Sequence, residues 1–135
     1  MKYLIDTNAI SELYKKNPDS KVVQWFLSIH TSQLHISCIT IGEIRKGISK
    51  LAKKDKVASL KLEKWLEGII IDYDKRILDI DREICEEWGE LISIDGTNPI
   101  DTLIAAQAKQ HNMILVTRNT KHYNMFNIKI FDPFN

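Results

Sequence analysis

Three acidic residues and one amide, far apart along the chain, carry the chemistry that this sequence allows: Asp6, Glu43, Asp101 and Asn119. Carboxylates brought together repel one another and resist joint ionisation. A hard divalent cation such as Mg²⁺ or Mn²⁺ neutralises them, prefers oxygen ligands and keeps several of its waters. A cation so held activates water and offsets charge on a phosphodiester. Competing chemistries lack their residues. The four histidines are scattered without zinc-type spacing, and there is no glycine-rich phosphate loop, nucleophile elbow or dinucleotide fingerprint. Each acid also suits a plainer task. Thr40-x-x-Glu43 has the form of a capping box, Asn98-x-x-Asp101 is a close variant, and Asp6 precedes a turn whose amides it can satisfy.

The elements that must position these groups follow from apolar periodicity. Residues 2–5 form a β-prone run ending in the cap-forming cluster Asp6-Thr7-Asn8, and Ile10, Leu13 and Tyr14 follow at helical spacing. Val22, Val23, Trp25, Phe26 and Ile29 mark a second helix, and residues 34–39 a second strand. Thr40 opens a helix that places Glu43 in its first turn, with Ile41, Ile44, Ile48 and Leu51 on one face. Residues 55–66 continue as a helix with Val57, Leu60 and Leu66 inward, while residues 69–71 and 77–80 read as short extended pieces. Asp81 caps a helix reaching Leu91; Asn98 and Pro99 then start another, through about His111, with Asp101 in its first turn. Residues 113–117 predict a buried strand, 119–123 a turn or short helix, and 127–131 a last β-prone segment.

Strands alternating with helices predict an α/β fold, a mainly parallel sheet of four or five strands flanked by helices, with residues 1–135 as one domain. Helix N-termini collect at the carboxyl edge of such a sheet, where open sheets bind ligands. Asp6, Glu43 and Asp101 therefore share one edge, and Asn119 joins them there. Composition agrees: 44% hydrophobic and 27% charged residues are ordinary globular usage. No apolar run approaches the ~20 residues of a membrane helix, and Asp6 interrupts any secretory leader, so the expected compartment is the cytoplasm, with no membrane partner and reduced thiols. Cys38 and Cys85 sit among apolar neighbours and are expected to be small buried hydrophobes. The net charge is only +1, but its distribution is uneven: residues 45–64 hold eight basic residues against two acidic ones, and residues 72–95 nine acidic against three basic.

Leu4-Ile5-Asp6-Thr7-Asn8, Ile41-Gly42-Glu43-Ile44-x-x-Gly47, Trp88-Gly89, Pro99-Ile100-Asp101-Thr102-Leu103-Ile104-Ala105-Ala106 and Leu115-Val116-Thr117-Arg118-Asn119 stand in one order along the chain. In that order they resemble the PIN domain, specifically the VapC/FitB-like toxins, over essentially the whole chain. The resemblance implies a PIN fold and an Mg²⁺- or Mn²⁺-dependent endoribonuclease, the toxin of a type II toxin–antitoxin pair. It also implies a homodimer, possible assembly into a larger toxin–antitoxin complex, and a cognate antitoxin whose segment enters the active-site groove. Asp6, Glu43 and Asp101 would be the metal-binding carboxylates. An acid that is common in the last motif is absent here, at Asn119 and at His122 alike. Three carboxylates suit one resident ion, with Asn119 supplying an amide oxygen or orienting a water, and Thr7 and Asn8 steadying ligands or substrate.

Among the cations, Arg118, Lys121, Arg45, Lys46 and Lys50 are candidates for the RNA backbone, and the sheet edge favours Arg118 and Lys46. Unpaired RNA, in tRNA or mRNA, is the expected target. His122 is read as a packed or surface residue, and Trp25, Trp65 and Trp88 as core or dimer interface. Two other readings stand beside this one: a PIN nuclease outside toxin–antitoxin systems, and a catalytically silent nucleic-acid-binding module whose acids only cap helices.

Overall fold

The computed structural model describes all 135 residues. Five short strands, β1 (Tyr3–Ile5), β2 (Leu34–Ser37), β3 (Ile77–Leu78), β4 (Ile114–Val116) and β5 (Ile130–Phe131), form one sheet in the order β3-β2-β1-β4-β5. Every pairing is parallel, with Tyr3 opposite Leu34 and Ile114, and Ile5 opposite Ile36 and Val116. The expected sheet is thus present with its fifth strand. Six helices connect it: α1 (Thr7–Glu12), α2 (Ser20–Ser28), α3 (Cys38–Ala52), α4 (Lys56–Tyr73), α5 (Arg82–Ile94) and α6 (Pro99–Gln110).

The period of two along each strand divides the core. Leu4 and Leu115 face α5 and α6, where Ile84, Leu91, Ile104, Ala105 and Ala108 close one layer. Ile5, Ile36 and Val116 face the other side, against Ala9, Ile10 and Tyr73. Central strands covered on both faces read as apolar runs, which is why β1 and β4 are legible despite three residues each.

Four expectations shift. Residues 34–39 are a strand only to Ser37, because the buried Ser37 hydroxyl accepts from the Ile39 amide and starts α3 earlier than Thr40 would. Residues 69–71 are not extended; they complete α4, whose inward stripe is Ser59, Leu62, Leu66, Ile69 and Tyr73. That phase turns Val57 and Leu60 outward, at 67% and 53% exposure, whereas Leu66 is buried as expected. Cys85 is exposed on α5 and Cys38 half-buried, and the two are unbridged, so burial as small hydrophobes fails for Cys85. The tryptophans pack as expected: Trp25 and Trp65 against the Ile36 layer, and Trp88 against the other, its indole N–H donating to the Pro99 carbonyl at 2.9 Å.

Candidate metal and RNA site at the carboxyl edge

The strand order reverses at β1, since the chain leaves it toward β2 on one side and returns through β4 on the other. At such a switch point adjacent loops diverge and leave a crevice beyond the strand ends. Asp6 follows β1 and Thr117 follows β4, and the Asp6 amide donating to the Val116 carbonyl at 2.9 Å carries the ladder one step into that crevice.

Asp6 is 3% exposed and fully engaged. Its Oδ1 caps α1 by accepting from the Thr7 amide at 2.8 Å, in keeping with its place before the turn. Its Oδ2 accepts from the Thr117 hydroxyl at 2.8 Å, the Asn8 amide at 3.2 Å and the Tyr123 hydroxyl at 3.2 Å. All four donors are neutral. Burial therefore pushes the Asp6 carboxyl above its ordinary value; the hydrogen bonds from Thr117, Thr7 and Tyr123 oppose that rise, and the neighbouring Asp101 charge adds to it. Tyr123 is pushed strongly upward, by burial first and then by the charges of Asp6, Asp101 and Glu43. One buried phenol thus feels all three carboxylates named from the sequence.

The other acids are held differently. Asp101 lies in the first turn of α6, but Asn98 makes no side-chain cap bond; its carbonyl instead accepts from the Thr102 amide at 2.9 Å and hydroxyl at 2.7 Å. The capping-box variant expected here does not form. Asp101 Oδ2 lies 2.9 Å from His122 Nδ1, so His122 is tied to an acid of the site and is not merely packed or solvated. Glu43 is exposed in the second turn of α3, because Ser37 and not Thr40 caps that helix; the Thr40–Glu43 capping box is likewise absent. Thr40 is buried with its hydroxyl 2.9 Å from that of Thr7, and Thr7 donates to Glu43 Oε1 at 2.6 Å.

No three His, Cys, Asp or Glu side chains lie close enough to enclose one ion. The donor set still fits a hard divalent cation of the Mg²⁺ type, which takes one or two carboxylates and keeps several waters. Asp6 and Asp101, bonded by the adjacent residues Tyr123 and His122, are the two carboxylates available for it, and Glu43 stands at the rim on Thr7.

The remaining named residues divide. Asn8 spends its amide on Asp6 and on Thr117 at 3.1 Å, and its oxygen accepts from the Arg118 amide at 3.1 Å, so it splices β1 to β4. The Asn119 amide N–H donates to the Thr117 hydroxyl at 3.0 Å, leaving its exposed side chain without a protein partner. Lys46 lines a groove of about 680 Å³ with Thr7, Glu43, Gly47 and Lys50. Arg45 is occupied by Glu63 at 2.6 Å. The Arg118 guanidinium is seated 3.7 Å from the centre of the Phe134 ring. Thr117 and Tyr123 are the site residues that sequence reasoning missed. Thr117 was legible in principle, since parallel pairing of residues 3–5 with 114–116 sets it beside Asp6.

The PIN-domain family model matches residues 3–126 of the chain. The chain is similar to toxin FitB of Neisseria gonorrhoeae, 32% identical over 97% of both chains. It superimposes on the FitAcB crystal structure from that organism with a TM-score of 0.90, covering 98% of this chain and 99% of that one at 30% identity. Ribonuclease VapC2 of Rickettsia felis is 34% identical over 91% of this chain and 90% of its own length. A toxin–antitoxin complex from Klebsiella pneumoniae contains a chain with a TM-score of 0.76 and 25% identity, covered to 99% on both sides.

Proposed function

The chain belongs to the PIN-domain family, among the FitB- and VapC-like toxins, and on that premise we propose that it is a divalent-metal-dependent endoribonuclease that cleaves unpaired stretches of cytoplasmic tRNA or mRNA. The observation that carries the reading is that the adjacent residues His122 and Tyr123 bond Asp101 and Asp6, which brings the two acids together at the switch point, with Glu43 held on the rim by Thr7. In this reading Asp6 and Asp101 hold an Mg²⁺ or Mn²⁺ ion, which when bound supplies Lewis acidity for activating water and positive charge against the phosphodiester.

Thr117, Asn8 and Tyr123 fix the lone pairs of Asp6, so that its carboxylate is oriented before substrate arrives. His122, next in the chain to Tyr123, orients Asp101 in the same way. Glu43, steadied by Thr7, accepts a proton from water at the rim, and the free Asn119 amide helps to align that water. Lys46, in the same groove as Glu43, offsets the repulsion between the acids and the RNA phosphates. The chain acts as a homodimer held in check by a small cognate antitoxin, a partnership supported by its likeness to a chain of a toxin–antitoxin complex.

The purified chain should cut total cellular RNA into discrete fragments with Mg²⁺ or Mn²⁺, stop on addition of a chelator and resume when the ion is restored. Asp101→Asn, folded by circular dichroism, should give none. Cleavage that persists without metal, or in Asp101→Asn, contradicts the site.

A further inference from the structure

We infer that Lys46 and Lys50 of α3, with Lys54 in the turn that follows, form a track leading a single RNA strand away from the carboxylates; this rests on the ribonuclease reading above and extends it to the path of the substrate. Lys46 and Lys50 stand four residues apart on α3, separated by a rise of ~6 Å and a turn of only ~40°, and Lys54 follows in the turn after the helix ends at Ala52. The step from Lys46 to Lys50 is close to the spacing of successive phosphates in an extended strand. All three are exposed and none has an acidic partner, whereas Arg45 on the same helix is bound to Glu63.

The space beside them is continuous. The groove that begins at Thr7 and Glu43 passes Lys46, Gly47 and Lys50, and a second hollow of about 310 Å³ continues past Gly47, Lys50 and Lys54. Ile39 and Ile100 give the first part an apolar wall for bases. One feature of this face does not help the helix itself. Gly47 is a poor helix former with nothing within 4 Å of where a Cβ would stand, so no contact within the chain demands it. It is accounted for by a polyanion lying along α3 with its backbone close to Gly47. Continuity with the rim of the carboxylate site favours the RNA strand over an acidic protein segment.

Fluorescence anisotropy, with chelator present so that the strand stays intact, reads the affinity for a single-stranded RNA of about ten nucleotides across a salt series. Replacing Lys46, Lys50 and Lys54 with Ala should make the slope of log affinity against log salt shallower by about 2, or roughly 0.7 for each phosphate no longer neutralised. Replacing Lys21, Lys61 and Lys75, which line none of these hollows, should leave most of the slope in place. Gly47→Ala, which the helix itself favours, should weaken binding severalfold at an unchanged slope. Equal slopes in the two triple variants would overturn the track in favour of diffuse attraction. An intact RNA slope in the α3 variant, joined to lost binding of a polyglutamate peptide, would overturn it in favour of a protein contact. No RNA binding by the unaltered chain would overturn the ribonuclease reading along with it.

Discussion

The two ends of α1 carry two buried carboxylates with opposite characters. Asp6, before the first turn, is 3% exposed and Glu12, in the last, is 5% exposed. Glu12 meets matched partners: Lys15 Nζ at 2.8 Å and the Asp19 amide at 2.9 Å, with the Arg118 charge nearby. These hold its carboxyl below the ordinary value, the Lys15 contact foremost. Asp6 meets only neutral donors and the negative field of Asp101, and burial raises it. Burial alone therefore does not mark a functional acid. What sets Asp6 apart is that its hydrogen bonds are complete while its charge is unanswered, which under the proposed function makes it the group that takes a cation from outside the chain.

The contrast is tested hardest at Thr117, whose hydroxyl donates to Asp6 while accepting from Asn8 and Asn119. Thr117→Val keeps the shape and removes the node. It should weaken Mn²⁺ binding, measured by calorimetry, and lower the cleavage rate, each by about 10- to 100-fold. Glu12→Gln, at the other end of the helix, should leave both unchanged. Equal losses in the two variants would show that the chain's whole frame, and not the Asp6 net, governs the metal.

A smaller effect separates the two acids through pH. Asp6, raised above 3.8, keeps its proton in the folded chain where an unfolded chain has lost it. The metal-free fold therefore loses stability as pH rises through that raised value. Glu12, lowered from 4.5, stays ionised in the fold where an unfolded chain takes up a proton, so its contribution is present above about 4.5 and is lost as pH falls further. Urea unfolding across pH without metal should show Asp6→Asn abolishing the first dependence and Glu12→Gln the second. Saturating Mg²⁺ should flatten only the first. A Glu12→Gln profile matching the unaltered chain would remove the structural role assigned to that end.

These contrasts also explain which parts of the molecule are legible in its sequence. Asp6, Asp101 and the parallel sheet are readable because they depend on period-two and helical spacing and on cap-forming residues beside apolar runs. The mis-phased faces of α4 are not: Val57 and Leu60 match a helical stripe as well as Ser59 does, and only packing against α3 chooses between them. Tyr123 and His122 are illegible as partners of Asp6 and Asp101 for a similar reason. Their contacts cross 117 and 21 residues, and the 3₁₀ turn that aims His122 has no apolar period of its own. Arg118 reads as a phosphate ligand from its place at the strand end. Chain direction sets its backbone as expected, but the ring of Phe134, contributed by the far terminus, claims its side chain.

Arg118 stands between the two regions, its amide on Asn8 beside Asp6 and its guanidinium over Phe134 within the field of Glu12. If the side chain serves the structural end, Arg118→Ala removes a cation–π interaction worth about 0.5–1 kcal/mol at an exposed position and little else. Phe134→Leu, which keeps apolar cover, should cost a similar amount, and the double variant should cost less than the two single losses added, since both delete the same interaction. RNA binding should keep its salt slope throughout. A slope shallower by about 0.7 in Arg118→Ala, with Phe134→Leu unaffected, would instead place the guanidinium on a phosphate and return Arg118 to the functional end of α1.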